Sequence, residues 1–213
     1  MKTIFWNVDT QYDFMRDDER FKGALVVKDA KEIEENLCIL TRYANGYGYK
    51  IINTADWHTI ESKELSETPD FINTFPPHCL IGTKGAEYIP QTRPLEAYKI
   101  DWRDTEIDEE QIRKMQNLIL YKDHFDIFQG NPHTKRVFEL IKPEKAIVYG
   151  VATNVCVNYA VKGLLERGVQ VMVPTDGIKE LPGLPLGEVL NSWTKNGAKL
   201  TTTEEIIREL RGY

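Results

Sequence analysis

Apolar positions along this chain fall into two alternating rhythms. The runs Thr3-Ile-Phe-Trp-Asn-Val, Lys50-Ile-Ile-Asn-Thr-Ala, Leu118-Ile-Leu-Tyr, Ala146-Ile-Val-Tyr and Val169-Gln-Val-Met-Val-Pro are short and nearly continuous. Such runs read as strands buried on both faces, and Ala198-Lys-Leu-Thr closes the series as a shorter strand. Between them the apolar positions recur at helical spacing. Ile33, Leu37, Leu40 and Ala44 mark a helix over 29–45, stopped by Gly46 and Gly48. Further helices are predicted over 108–116 and 133–141, from about Asn154 through Val157, Ala160, Val161, Leu164 and Leu165, and over 186–196 and 203–211, the last with Thr203 as N-cap. Strands alternating with helices imply an α/β fold: a doubly wound, mainly parallel sheet of about six strands with helices on both faces. Residues 59–97 carry no clean period and are rich in Pro, Thr and Gly. They predict a long irregular excursion at about 57–97, a length that usually signals function.

Composition narrows the class. With 213 residues, 41% hydrophobic and 28% charged, the chain reads as one globular domain spanning 1–213. A net charge of −6 and the lack of a Lys/Arg stripe argue against nucleic acid as a partner. No apolar run approaches the length of a membrane span. Lys2 to Val8 is short and meets Asp9 and Asp13 at once, so no signal peptide is expected. Three widely spaced cysteines do not form a disulfide framework, and a reducing, cytoplasmic compartment follows. No internal repeat or low-complexity tract is present. Gly82-Thr-Lys-Gly85 lacks the spacing of a phosphate loop.

The chemistry collects at strand ends. Asp9, Asp56, Lys122 and Cys156 each lie just past the carboxyl end of a predicted strand, and in a parallel sheet those ends share one edge. Cys156 falls in the first turn of a helix, where unpaired N–H groups and the helix dipole favour a thiolate. Taken singly, Cys156 reads as a small core residue, Asp9 as a cap and Lys122 as a surface lysine. Together they fit a thiol nucleophile, a carboxylate base and a cation that holds both. The backbone N–H groups of Ala152 and Cys156 are candidate oxyanion donors. Asp56 and His58, two apart on an extended segment, project the same way, and His78 could complete a two-His, one-carboxylate metal site. That spacing is weak on its own. Cys38 falls on an apolar helix stripe, Cys79 reads as structural, and His124 and His133 as exposed residues or local hydrogen-bonders.

The strings Asp9-Thr-Gln-Tyr-Asp-Phe14, Asp56-Trp-His58, Pro77-His78-Cys-Leu-Ile-Gly-Thr-Lys-Gly-Ala-Glu and Gly150-Val-Ala-Thr-Asn-Val-Cys156-Val, with Lys122, resemble the isochorismatase-like cysteine hydrolases over about residues 3–203, and among them most of all the nicotinamidases. The resemblance implies an isochorismatase-like hydrolase fold and an Asp9–Lys122–Cys156 triad working through a thioester on a small-molecule amide. It also implies one divalent metal ion on Asp56, His58 and His78, zinc first with iron or manganese as alternatives, placed to take a substrate ring nitrogen. A cis Val151–Ala152 peptide, a homo-oligomer (dimer or tetramer), and Phe14 and Phe75 as walls for a flat substrate follow from the same likeness. The chain departs from the nicotinamidase pattern in four places. Phe75 stands where Trp is common, Thr59-Ile-Glu-Ser-Lys-Glu-Leu follows the metal string, Asp123-His-Phe-Asp-Ile-Phe128 follows the lysine, and segment 94–117 is longer. An isochorismatase-family hydrolase of another amide, carbamoyl or ureido compound is the alternative reading, and a non-catalytic or redox-sensing relative is a third.

Overall fold

A computed structural model describes residues 1–212. In chain order, β1 (Thr3–Val8) leads through a single turn, α1 (Tyr12–Met15), to α2 (Glu34–Gly46) and β2 (Lys50–Asp56). After a long irregular stretch come β3 (Tyr98–Ile100), α3 (Glu109–Lys114), β4 (Asn117–Lys122), α4 (Ile127–Gly130) and α5 (Thr134–Ile141). The remainder is β5 (Lys145–Val151), α6 (Cys156–Glu166), β6 (Gln170–Pro174), β7 (Ile178–Lys179), α7 (Gly187–Lys195), β8 (Lys199–Thr201) and α8 (Thr203–Arg211). The strands form one sheet of eight in the order β3-β4-β2-β1-β5-β6-β8, with β7 also on β5. Every pairing is parallel. The strand count exceeds the expected six because β3 and β7 hold only 3 and 2 residues, too few to show a period.

Alternation along the strands sends side chains to two helical layers. Phe5 packs at 6.4 Å from Tyr43 of α2 and shares that face with Tyr149, whose hydroxyl lies 2.9 Å from Thr41 Oγ1. Its neighbour Trp6 turns to the other face and meets Phe128 of α4 at 6.2 Å. The last helix starts one residue earlier than its predicted cap: Thr202, not Thr203, is the N-cap, in a reciprocal capping box with Glu205. Thr203 instead donates its N–H and hydroxyl to Asp176, both at 2.9 Å. Gly48, Lys142, Gly168 and Gly197, all with positive φ, end their helices and return the chain to the amino edge of the sheet.

The opposite, carboxyl edge is where the strand order reverses, with β1 flanked by β2 and β5, and such a switch point opens a crevice. Register sets its contents: Val8 pairs with Thr54 and Gly150, and Asp56 with Lys122. Gly150 has φ 121°, and a Cβ there would run into the Val8 carbonyl, so only glycine permits this approach of β5 to β1. The chain between β2 and β3 contributes single bridges, His58 with Leu80 and Leu65 with Phe75, and folds over this edge. No described helix is long and apolar enough to cross a membrane.

Candidate active site

Asp9 follows β1 directly and holds φ 47°, a left-handed conformation that Asp tolerates better than most residues. Its N–H donates to the Thr54 carbonyl at 3.1 Å, and Thr54 Oγ1 donates to Oδ1 at 2.6 Å. The other oxygen, Oδ2, lies 3.0 Å from Lys122 Nζ. Lys122 ends β4 and is 1% exposed. It also ion-pairs with Asp56, and its Nζ is 3.7 Å from Cys156 Sγ. Cys156 is the first residue of α6 and is 7% exposed. The structure therefore gathers Asp9, Lys122 and Cys156 into one buried cluster. The Val151–Ala152 peptide beneath them is cis, and the Cys156 N–H belongs to the helix's first turn, which has no partner inside the helix.

Burial raises the Cys156 thiol well above its ordinary range against the pull of Lys122, and the Asp9 and Asp56 carboxylates push it further. Burial also raises Asp9, opposed by Lys122 and reinforced by Asp56. A carboxylate raised in this way is a better acceptor for a thiol proton. Burial works against charge on Asp56 as well, but Lys122, His78 and His58 outweigh it and hold that carboxyl below the usual range.

A second cluster adjoins the first. Asp56, His58, Glu64 and His78 each direct one ligand atom into a space where all four lie within 4.8 Å of one another, and all are buried. His78 Nε2 is 3.4 Å from Asp56 Oδ2 and 3.9 Å from Glu64 Oε1. His58 Nε2 is 4.0 Å from each of those carboxylates and is a buried nitrogen with no hydrogen-bond partner. An orphaned imidazole nitrogen among two carboxylates and a second imidazole fits a divalent cation. The far nitrogens are spoken for: His78 Nδ1 is 2.7 Å from the Pro76 carbonyl, and His58 Nδ1 2.9 Å from Asp123.

Above both clusters lies a cleft walled by Phe14, Leu25, Phe75, Val155 and Leu181, with Asp56, Glu64, His78 and Cys156 at its floor. The Phe14 and Phe75 rings pack on His78, at 5.3 and 6.4 Å. Polar side chains lock the frame. Asp13 accepts from the Cys79 N–H at 2.7 Å, one residue past His78, and from Ala24 N–H at 3.1 Å. Asn154 brackets Leu181, donating to its carbonyl at 2.8 Å and accepting its N–H at 3.0 Å. Cys38 is half-buried rather than in the core, Cys79 is buried, His124 accepts the nearby Asp126 N–H at 3.0 Å, and His133 reaches instead to a distant part of the chain, the Asp104 carbonyl, at 2.8 Å.

Sequence reasoning missed Glu64, Thr54, Ser62 and Asp123. Glu64 and Ser62 lie in the aperiodic excursion, where no pattern separates a buried polar residue from a solvated one. The signal was their setting: both stand in the string that departs from the nicotinamidase pattern.

The sequence matches the isochorismatase domain over residues 3–205, and the chain belongs to the isochorismatase family. The nicotinamidase/pyrazinamidase of Mycobacterium tuberculosis is 24% identical over 169 residues, 79% of this chain and 82% of that protein. Among solved structures, the pyrazinamidase of Pyrococcus horikoshii in complex with zinc superposes with a TM-score of 0.72 at 22% identity, covering 95% of this chain and 99% of that one. N-carbamoylsarcosine amidase from Thermoplasma acidophilum gives 0.72 at 17% identity, over 95% and 97%.

Proposed function

We propose that this protein is a metal-assisted cysteine amidohydrolase of nicotinamidase type, converting nicotinamide and water to nicotinate and ammonia. The observation that supports it best is the position of Lys122, whose ammonium touches Asp9 and Asp56 and lies 3.7 Å from Cys156 Sγ. Nucleophile, base and ligand group thus sit under one cleft.

In this reading Asp9 takes the Cys156 proton as Sγ attacks the amide carbon. The oxyanion faces the N–H groups of Ala152 and Cys156. Asp9 returns the proton to the leaving nitrogen, the C–N bond breaks, and a thioester and ammonia result. Water then attacks the thioester with Asp9 again as base. The C–S bond breaks, the acid leaves and the thiol is restored. Lys122 keeps the Asp9 carboxylate and the sulfur in place. Asp56, His58, Glu64 and His78 would hold a divalent ion, zinc, iron or manganese, which when bound supplies an anchoring bond to a ring nitrogen and so orients the amide.

The cleft favours a neutral flat amide over an N-carbamoyl amino acid. Its lining includes no Arg or Lys to receive a carboxylate, and two of its walls are aromatic. A redox-sensing role suits an exposed, low-pKa thiol, whereas Cys156 is buried with its thiol raised.

Ammonia release from nicotinamide, benzamide and an N-carbamoyl amino acid, before and after chelation and re-addition of zinc, tests the reading. Nicotinamide should turn over, chelation should lower the rate, and benzamide should be much poorer because it lacks the ring nitrogen. Equal rates on nicotinamide and benzamide, or turnover of the carbamoyl compound alone, would overturn the nicotinamidase assignment. No ammonia from any amide would overturn the hydrolase itself.

A further inference from the structure

Asp123 belongs to neither cluster, yet both of the strings that depart from the nicotinamidase pattern converge on it. The β2–β4 register pairs Asp56 with Lys122, and Trp57 N–H continues it to the Lys122 carbonyl at 2.9 Å. His58 and Asp123 therefore leave adjacent strands at the same level. Asp123 N–H is fixed to the Gly130 carbonyl at 3.0 Å. A Cβ at Gly130 would strike the His124 backbone, so this tight return depends on glycine. Asp123 Oδ1 then lies 2.9 Å from His58 Nδ1 and also accepts from Ser62 Oγ. Ser62 Oγ in turn accepts the Thr59 N–H at 2.9 Å, which ties the chain just past His58 into the same network. The Asp123 side chain is 24% exposed while His58 is fully buried.

We propose that Asp123 is a positioning residue for His58: by accepting the Nδ1 proton it fixes the tautomer that leaves Nε2 bare toward Asp56, Glu64 and His78, and so sets the affinity of that group for a divalent cation. The inference rests on the metal site of the preceding reading. A carboxylate behind an imidazole orients the ring, holds its proton on the far nitrogen and strengthens it as a ligand. Ser62, donating to the same oxygen, keeps the carboxylate aimed. His78 has only the Pro76 carbonyl in the corresponding place, so the two histidines are unequal ligands and His58 is the one backed by a full charge.

Zinc binding to the metal-free protein, measured by competition with a chromophoric chelator, tests this with Asp123→Ala, Asp123→Asn and Ser62→Ala. Asp123→Ala should weaken zinc by about 10–100-fold. Asp123→Asn keeps an acceptor of the same shape without the charge and should recover part of the loss. Ser62→Ala should cost least. Long-range ¹H–¹⁵N spectra of the metal-free protein give a readout independent of metal and of turnover, with the His58 signal identified by its loss in His58→Ala. His58 should carry its proton on Nδ1 in the wild type and shift toward Nε2 in Asp123→Ala. Wild-type zinc affinity in Asp123→Ala, or an Nε2–H tautomer in the wild type, would overturn the proposal and leave the metal site standing. A wild type that binds no zinc, iron or manganese would overturn the site and the proposal together. Asp123→Asn preserves volume, so a folding failure in the alanine variant leaves the question answerable.

Discussion

Gln11 and Asp56 exchange two hydrogen bonds across the crevice: Gln11 Nε2 donates to the Asp56 carbonyl at 2.7 Å, and Gln11 Oε1 accepts the Asp56 N–H at 2.8 Å. The same amide reaches the Ala86 carbonyl at 2.9 Å. A side chain thus does at the end of β2 what a further strand residue would have done, and it pins Asp56 where Lys122 and His78 meet it. Gln11→Leu, similar in volume, should leave these buried backbone groups unpaired and cost about 1–3 kcal/mol in urea unfolding. Zinc affinity should fall with it. Unchanged stability would mean that water or a shifted backbone replaces the clamp.

Cys156→Ala should reduce ammonia release by at least about 10³-fold, since a nucleophile's removal is not made good by its partners. The urea midpoint should move little, because alanine fits the same small site. Cys38→Ala should keep full activity, its thiol lying on a different layer. Turnover by Cys156→Ala within tenfold of wild type would remove covalent catalysis by this residue.

Gly85 faces the Asp13 carboxylate so closely that a Cβ would overlap it. That carboxylate holds the Cys79 N–H beside His78. Gly85→Ala should therefore cost about 1–3 kcal/mol, as an overpacked interior does, and weaken zinc binding as His78 shifts. Gly46→Ala, in open space at the end of α2, should be neutral or slightly stabilising. Equal stability of the two variants in thermal unfolding would show that Asp13 can step aside freely.

Asp70 organises an exposed turn next to the cleft wall residue Phe75. Its carboxylate accepts the N–H groups of Ile72, Asn73 and Thr74 at 2.7–2.9 Å, and Phe71, within that turn, sets its ring against Phe75 at 6.4 Å. Those N–H groups hold the Asp70 carboxyl below its ordinary value of 3.8. The stabilisation is therefore fully present above pH 3.8 and is lost as the pH falls through the lowered value at which the carboxyl of the folded turn takes up its proton. Asp70→Ala should speed hydrogen exchange at amides 72–74 at neutral pH. Exchange equal to the wild type would show that the turn is held by other contacts.

Much of this architecture was legible because parallel strands buried on both faces leave unbroken apolar runs. Thr3–Val8, Lys50–Asp56, Asn117–Lys122 and Lys145–Val151 announce themselves in that way, and a shared parallel direction puts Asp9, Asp56, Lys122 and Cys156 on one edge. The four-residue helices α1 and α4 were silent, being barely one turn long. The cap of α8 was readable and misread: Thr202 stands three residues before Glu205, as a capping box requires, whereas Thr203 stands before Ile206. Glu64, Ser62 and Asp123 were illegible for another reason. Each acts through contacts between segments about 60 residues apart in the chain, and such closure leaves no mark on local spacing.

The turns through Gly48, Lys142, Gly168 and Gly197 lie on the edge of the sheet opposite the cleft. The molecule consequently has a handle and a working end. A fluorophore or bead coupled near the exposed Lys142 would leave the mouth of the cleft facing solution. In a mutational scan, changes at the handle should register in yield and melting temperature, and changes at the other end in turnover and metal content.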